Sequence, residues 1–162
     1  MIVLVMGVSG AGKSTIGRAL ANALGAEFLE ADAFHSDANV AKMQSGVPLT
    51  DSDRWPWLDA IGTALDQAVL KGSKVVLACS ALKQAYRDRL LTDGGRQGHI
   101  VFLQGNPDLI AARLAGRSGH YMPPTLLPSQ LATLEPPGDA IVVDLSDEPE
   151  VILAQILAKL PR

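Results

Sequence analysis

The residues Gly7-Val8-Ser9-Gly10-Ala11-Gly12-Lys13-Ser14 fit the pattern G-x-x-x-x-G-K-[ST], which is typical of a phosphate-binding loop. Glycines let the backbone curl so that successive N–H groups point at phosphate oxygens, and the amino end of a following helix adds positive field. Lys13 would reach the β- and γ-phosphates of ATP, while the Ser14 hydroxyl would bind Mg²⁺. An apolar run precedes the loop and a helical pattern follows it, which disfavours the alternative of a glycine-rich turn with an incidental lysine. The predicted nucleotide contacts are Gly7, Val8, Ser9, Gly10, Ala11, Gly12, Lys13, Ser14 and Thr15.

Two carboxylates, Glu30 and Asp32, follow the weak second strand pattern at Glu27–Leu29. Their position predicts that they lie beside the phosphate loop, at the carboxyl end of a strand. Asp32 is the candidate general base for an acceptor hydroxyl, and Glu30 is the candidate to orient Mg²⁺ through water. The alternatives for Asp32 are a solvated loop acid or the N-cap of a helix that begins near Ser36.

A third group of candidate residues is basic and lies before a proline-rich stretch. Arg113 and Arg117 are four residues apart, so they share a helix face, and His120 follows them. Five of the ten prolines lie between Tyr121 and Pro137. Proline removes backbone donors, so this stretch is not expected in the sheet. We predict a lid over about residues 114–137 with one short helix at 126–134, the alternative being an ordinary surface loop.

Composition limits the remaining function classes. The chain has 162 residues, 48% of them hydrophobic, which fits one domain over residues 1–162. Its formal net charge of -3 is the wrong sign for a general binder of nucleic acid or anionic membranes. Its single cysteine, Cys79, cannot form an internal disulfide. No apolar run reaches the length of a membrane span, so we expect a cytoplasmic protein.

Short apolar runs alternate with segments of helical period, and this pattern predicts an α/β fold. Continuous runs, rather than alternating ones, are typical of strands buried on both faces of a parallel sheet. In such a sheet, ligands bind at the carboxyl ends of the strands. The predicted strands are Ile2–Met6, Glu27–Leu29, Lys74–Cys79, Ile100–Leu103 and Ile141–Val143.

Helix boundaries were predicted from capping patterns. Asp51 or Ser52 is the expected N-cap of a helix that ends at Gly72, and Asn106-Pro107 begins another. Asp147 and Glu150 have the spacing of a capping box. One apolar stripe is predicted on the first of these helices, formed by Leu58, Ile61, Leu65 and Val69.

Four segments of the sequence together resemble the gluconokinases, P-loop kinases that phosphorylate D-gluconate on its terminal hydroxyl. The phosphate loop is shared by many kinases, but the segments Lys42–Leu58 and Cys79–Asp88 are distinctive. The four segments span nearly the whole chain in order. They are Met6–Thr15, Lys42–Leu58, Cys79–Asp88 and Gly119–Pro124, the last followed by Leu127, Ser129, Gln130, Leu134 and Glu135.

The resemblance implies a three-layer P-loop kinase fold of the nucleoside-monophosphate-kinase-like type, in which helices cover both faces of a five-stranded parallel sheet. It also implies ATP and Mg²⁺ as cofactors, D-gluconate as the small-molecule substrate and a homodimer. Gluconate needs a cation for its carboxylate and several polar groups for its hydroxyls. Arg54 and Arg87 offer planar forks for the carboxylate, with surface salt bridges as the alternative. The remaining candidate substrate ligands are Asp32, His35, Lys42, Asp51, Asp53 and His120.

The wider kinase fold suggests that one lid arginine covers adenine and the other meets the transferred phosphoryl group. On position, we assign adenine to Arg113 and the phosphoryl group to Arg117, which would join Lys13 and Asp32 as catalytic residues. A solvated helix end is the alternative for both arginines.

The chain departs from the usual family pattern at Ala31, Ser36, Tyr121 and Ala140. The family has Gly where this chain has Ala31, which would be strained only at positive φ. Two other functions stay open at this point. One is a kinase for another small acceptor, such as shikimate, another sugar acid or a nucleotide monophosphate, and the other is a nucleotide-dependent switch that hydrolyses ATP slowly.

Overall fold

Parallel strands form the centre of the fold. The computed structural model describes residues 1–115 and 127–161. Within these ranges one five-stranded sheet has the order β2-β3-β1-β4-β5, with every neighbouring pair parallel. Its strands are β1 (Ile2–Met6), β2 (Glu27–Glu30), β3 (Val75–Ala78), β4 (Gly98–Gln104) and β5 (Ile141–Asp144). The predicted α/β fold with a five-stranded parallel sheet is confirmed, and most of its strands differ from the prediction by one to three residues at their ends.

Helices cover both faces of this sheet. The described helices are α1 (Lys13–Leu24), α2 (Asp37–Gln44), α3 (Asp51–Leu70), α4 (Gln84–Leu90), α5 (Pro107–Ala115), α6 (Leu127–Thr133) and α7 (Pro149–Lys159). A short 3₁₀ helix, Ala31–Phe34, follows β2 directly. No described helix is long and apolar enough to cross a membrane.

The alternation of side chains along β1 explains how one strand serves two cores. Val3 and Val5 pack with α1, α5 and α7 on one face of the sheet. Ile2, Leu4 and Met6 pack with α3 and α4 on the other face. Successive side chains of a strand point to opposite faces, so a continuous apolar run is required when both faces are covered.

Two predicted helix caps are wrong. Thr50, not Asp51 or Ser52, caps α3, because its side chain accepts the Asp53 N–H while the Asp53 carboxylate accepts the Thr50 N–H. Glu148, not Asp147, precedes α7, and its side chain makes no cap; Pro149 has no N–H at the first helical position, and the Val151 N–H donates to the Glu148 carbonyl at 3.0 Å.

The predicted cap of α5 and the predicted apolar stripe of α3 agree better with the structure. Asn106 caps α5, as predicted, by accepting the Asp108 N–H at 2.7 Å. On α3, Leu58, Ile61 and Leu65 are buried, but Val69 is 50% exposed and Ala68 is buried in its place. The buried stripe follows the 3.6-residue helical period from Leu65 to Ala68, and this period leaves Val69 at the edge of the packed face.

The carboxyl ends of β1, β2 and β3 place three loops side by side. The chain continues from these ends into residues 7–12, the 3₁₀ helix and residues 79–83, respectively. In the third loop Ala81 has φ +45°, the one positive value among non-glycine residues in the described ranges. Ala31 is therefore not strained, so this departure from the family pattern is accommodated.

Candidate active site

The three loops surround a cleft, which we call the P-loop cleft. It lies where the carboxyl ends of the strands meet, as expected for an open parallel sheet. Its described lining residues are Ser9, Gly10, Gly12, Lys13, Ser14, Glu30, Asp32, His35, Leu49, Arg54, Trp57, Ser80, Leu82 and Gln130.

The phosphate-binding loop has the curled backbone that its sequence predicts. Gly12 has φ +90° and stands at the amino end of α1. Gly10 has φ +87°, and a β-carbon there would lie 2.8 Å from the Leu114 side chain. Glycine is required at Gly10 for both backbone conformation and close packing on α5. The Lys13 ammonium donates to the Val8 carbonyl at 3.0 Å, which keeps it folded over the loop.

Ser14 and Glu30 bring two hard oxygen donors together. The Ser14 hydroxyl donates a hydrogen bond to the Glu30 carboxylate. Burial raises the pKa of Glu30, more strongly than the bond from Ser14 lowers it. A half-buried carboxylate beside a hydroxyl and next to a phosphate site suits Mg²⁺, which takes one or two protein oxygens and completes its shell with phosphates and water.

Asp32 lines the P-loop cleft. It belongs to the 3₁₀ helix, is exposed, and lines the same cleft as Lys13 and Ser14. The Trp57 indole N–H donates to the Ala31 carbonyl at 2.7 Å, so α3 holds this helix in place. Ser36, not Asp32, caps α2, which excludes the capping alternative for Asp32. An exposed carboxylate with a fixed backbone can accept a proton from a bound hydroxyl.

His35 stacks on Trp57, with ring centroids 4.1 Å apart and ring planes 14° from parallel. Burial, with a smaller contribution from Arg54, lowers the pKa of His35 to about 4, against the raising effect of Asp32. The imidazole is therefore neutral at pH 7 and can donate one hydrogen bond and accept another.

We expect this shift to appear as pH-dependent stability. At pH values between 6.5, the ordinary histidine pKa, and about 4, His35 is protonated in the unfolded chain but neutral in the folded protein. Parent protein therefore loses stability as pH falls through this window, and His35→Gln removes that part of the loss. Urea unfolding of both proteins at pH 7, 6, 5 and 4.5 measures it, with His99→Gln as the control. A constant stability difference between parent and His35→Gln across these pH values contradicts the assignment.

Arg54 is the fourth residue of α3 and lines the cleft. Its Nη1 donates to the Leu49 carbonyl at 2.8 Å and to the Tyr86 hydroxyl at 2.9 Å. The Tyr86 hydroxyl in turn donates to Asp51. The Arg54 side chain is 17% exposed, so a guanidinium fork is held at the cleft in one orientation. Such a fork suits a carboxylate.

Three predicted substrate ligands bind other protein groups at the amino end of α3. Lys42 pairs with Asp53, and this bond lowers the pKa of Asp53 to about 2. Asp51 accepts hydrogen bonds from Tyr86 and Lys83, and the bond from Tyr86 is the main cause of its lowered pKa. The structure does not place Lys42, Asp51 or Asp53 on the lining of the P-loop cleft.

Arg87 departs most from its predicted position. It is 1% exposed, and its guanidinium donates to the carbonyls of Ala81 at 2.7 Å, Leu82 at 3.2 Å and Glu135 at 2.8 Å. It also donates to the Gln84 side chain at 3.1 Å. These bonds bind the residue 79–83 loop to the segment after α6. Arg87 is therefore a structural clamp in this structure and does not present its fork to the cleft.

We expect Arg87→Met to destabilise the protein strongly. Methionine keeps most of the side-chain length but takes the charged donor from three carbonyls, two of which belong to the buried residues Ala81 and Leu82, at a cost of about 3 kcal/mol or more. Urea unfolding measures the loss. Arg89→Met is the matched control, because Arg89 makes an exposed pair with Asp59, and its effect should be much smaller. Equal effects of the two substitutions would contradict the clamp.

The residues of the predicted lid are described only in part. The Arg113 side chain, at the end of α5, donates to the Leu145 carbonyl at 2.8 Å. This places it beside the loop after β5. Arg117 and His120 lie outside the described residues, as does the rest of the stretch from 116 to 126. The predicted helix at 126–134 is described as α6, Leu127–Thr133.

Sequence reasoning missed five residues that line the cleft: Leu49, Trp57, Ser80, Leu82 and Gln130. Gln130 is 6% exposed, and its Oε1 accepts the Ser9 N–H at 2.7 Å, so α6 contacts the phosphate-binding loop directly. The available signals were the place of Ser80 just after a buried strand and the presence of both Ser80 and Gln130 in segments that resemble the gluconokinases. Neither signal gives the Gln130 contact with Ser9, because that contact joins residues 121 positions apart.

Known proteins with similar sequences identify the family of this chain. A family model described as an AAA domain matches residues 2–137. A probable gluconokinase from Mus musculus is 48% identical over 152 residues, with 84% of this chain and 83% of the relative covered. Gluconokinase from Gluconobacter oxydans is 47% identical over 158 residues, with 96% of this chain and 88% of the relative covered. This chain belongs to the gluconokinase family.

Solved structures support the same family. A gluconokinase from Sinorhizobium meliloti superposes with a TM-score of 0.84 at 45% identity, covering 96% of this chain and 89% of that one. A sugar kinase from Janibacter gives 0.90 at 47% identity, covering 97% and 92%. An APS kinase from Mycobacterium tuberculosis, at 16% identity and a TM-score of 0.68, shares the fold of the gluconokinase family.

Proposed function

We propose that this protein is a gluconokinase, which transfers the γ-phosphoryl group of ATP to the terminal hydroxyl of D-gluconate. One observation carries the proposal: a single cleft is lined by the phosphate-binding loop with Lys13 and by Asp32 and Arg54. A general base and an anion-binding fork beside a nucleotide site suit an acceptor with a hydroxyl at one end and a carboxylate at the other. The gluconokinase relatives support the same substrate.

In the proposed reaction, Asp32 takes the proton of the gluconate terminal hydroxyl as its oxygen attacks the γ-phosphorus in line. A bond forms between that oxygen and phosphorus, and the bond from phosphorus to the β,γ-bridging oxygen breaks. ADP leaves with the electron pair of that bond. Lys13 and the loop amides stabilise the charge that develops on the phosphate oxygens. Arg117 is proposed for the same task, and Arg113 for contact with adenine.

Ser14 and Glu30 are the residues proposed to hold Mg²⁺, which when bound neutralises phosphate charge and fixes the phosphates in one orientation. Ser14 would bind it directly and Glu30 through water. Within residues 1–115 and 127–161, no group of three or more histidine, cysteine or acidic side chains forms a metal site. The protein would therefore share the cation with the nucleotide.

Arg54 is proposed to bind the gluconate carboxylate and His35 one of its hydroxyls. Lys42, Asp51 and Asp53 support the amino end of α3, from which Arg54 projects. His120 remains a predicted ligand from outside the described residues. Arg87 is not carried forward as a ligand, because protein carbonyls hold its guanidinium.

An ADP-release assay with Mg-ATP tests the proposal. Acceptors are D-gluconate, shikimate, nucleotide monophosphates and a panel of sugar acids. We expect turnover to be stimulated strongly by gluconate, and phosphorus NMR to identify 6-phosphogluconate as the product. Stimulation by a different acceptor alone would reassign the substrate. Slow turnover that no acceptor changes would favour a nucleotide-dependent switch instead.

Gln130 gives a prediction for the nucleotide side of the cleft. Gln130→Glu keeps an oxygen that accepts the Ser9 N–H but adds a negative charge beside the phosphate-binding loop, where we propose that the γ-phosphate lies. We expect the KM for ATP to rise about tenfold, while the Kd for ADP changes less. Gln67→Glu, on the exposed side of α3, is the matched control in steady-state assays. An unchanged KM for ATP in Gln130→Glu would place the γ-phosphate elsewhere.

The homodimer and the cytoplasmic location stay predictions. The homodimer rests on resemblance to the gluconokinases, and light scattering of the purified protein would test it.

A further inference from the structure

The buried amide of Asn39 connects the acceptor side of the cleft to α3. Asn39 lies on α2 and is 6% exposed. Its Nδ2 donates to the Asp53 carbonyl at 3.0 Å and lies 3.4 Å from Nδ1 of His35. Its backbone N–H donates to the Ser36 hydroxyl that caps α2, at 3.2 Å. Both the backbone and the side chain of Asn39 are therefore fixed.

These contacts determine which way the amide points. A backbone carbonyl can only accept hydrogen bonds, so the Asn39 atom beside the Asp53 carbonyl must be the NH₂ group. An NH₂ group has two hydrogens. With one on the Asp53 carbonyl, the other is available to His35 Nδ1.

The orientation of Asn39 in turn determines the form of the His35 ring. A neutral imidazole carries one proton, and the nitrogen that accepts a hydrogen bond is the one without it. His35 Nδ1 faces a donor, so the proton belongs on Nε2. Stacking on Trp57 holds the plane of the ring, which leaves the Nε2–H as a donor for the cleft that His35 lines.

We propose that Asn39 is a positioning residue that fixes His35 as the Nε2–H tautomer, so that His35 donates a hydrogen bond to a hydroxyl oxygen of the acceptor. The proposal rests on the proposed function for the identity of that acceptor. It gives the cleft two complementary groups: Asp32 only accepts, and His35 donates. A polyol with neighbouring hydroxyls can satisfy both, whereas an analogue lacking the hydroxyl leaves a polar group unpaired.

The tautomer can be measured without substrate. Long-range ¹H–¹⁵N NMR distinguishes protonated from unprotonated ring nitrogens, and His35→Gln identifies which of the three histidine signals is lost. In the parent protein at pH 7 we expect protonated Nε2 and unprotonated Nδ1. A protonated Nδ1 overturns the proposal, whatever the variants do.

Two substitutions test the consequence. Asn39→Leu keeps the volume but removes the donor, and Asn39→Asp replaces the donor with an acceptor that draws the proton to Nδ1. Asp32 and Arg54 also face His35, and both remain in each variant. We expect the KM for gluconate to rise about tenfold, with kcat and the KM for ATP within about twofold. Asn22→Asp, exposed on α1, is the matched control.

The outcomes separate this inference from the proposed function. A shifted tautomer with an unchanged KM for gluconate would overturn the role of His35 as a donor. If neither variant folds, the tautomer of the parent protein still decides the assignment. If the tautomer is as expected but gluconate is not phosphorylated, the proposed function fails and the positioning by Asn39 stands.

Discussion

Asp32→Asn is expected to slow phosphoryl transfer to gluconate by about 10²- to 10⁴-fold, because the amide cannot take the proton of the acceptor hydroxyl. Asparagine matches the shape of aspartate and keeps a hydrogen-bonding oxygen, so the KM for gluconate should change by much less than kcat. The 3₁₀ helix is tied to α3 through Trp57, so we expect no backbone rearrangement that compensates for the lost base.

Steady-state and single-turnover assays measure this effect. Asp37→Asn is the matched control: Asp37 lies five residues away, on the exposed first turn of α2, and does not line the P-loop cleft. Its kcat should stay within about twofold of the parent value. A rate for Asp32→Asn close to that of the parent protein would refute the general base.

Lys13→Met is expected to lower kcat by about 10²- to 10³-fold, as for the removal of one group that stabilises transition-state charge. Methionine preserves the apolar stem of lysine, and the Val8 carbonyl that loses the bond from Lys13 keeps the one from the Ala11 N–H. The KM for ATP should also rise, since Lys13 would bind the β- and γ-phosphates before the reaction as well as during it.

The control for this substitution is Lys74→Met, at an exposed position just before β3. Rapid-quench measurements separate the chemical step from nucleotide binding. Full activity of Lys13→Met, with normal ATP affinity, would show that the loop binds phosphate through its backbone alone.

Local signals in the sequence predicted the sheet and the phosphate-binding loop well. The apolar runs are continuous because helices cover both faces, and the glycines of the loop mark a conformation that few residues other than glycine adopt. Asp32 and Arg54 were predicted from their types and from resemblance to the gluconokinases, and the structure brings both to one cleft.

What sequence reasoning missed depends on contacts between distant parts of the chain. Arg87 has the residue type of an anion ligand, but three carbonyls from two separate segments hold it in the interior. Likewise, Gln130 reaches the loop only because α6 folds back over it. The N-cap at Thr50 was missed for a different reason: three consecutive polar residues, Thr50, Asp51 and Ser52, are all good caps, and only the geometry selects one.

The strained Ala81 has a consequence for engineering the acceptor range. A non-glycine residue at positive φ costs about 1 kcal/mol or more, and the Arg87 clamp holds the carbonyl of that same residue. Backbone changes around Ala81 would therefore disturb the interior as well as the cleft. Side-chain exchange at the neighbouring Ser80 alters the cleft without moving this scaffold, so a library directed at new sugar acids should vary Ser80 and keep Ala81 and Arg87 constant.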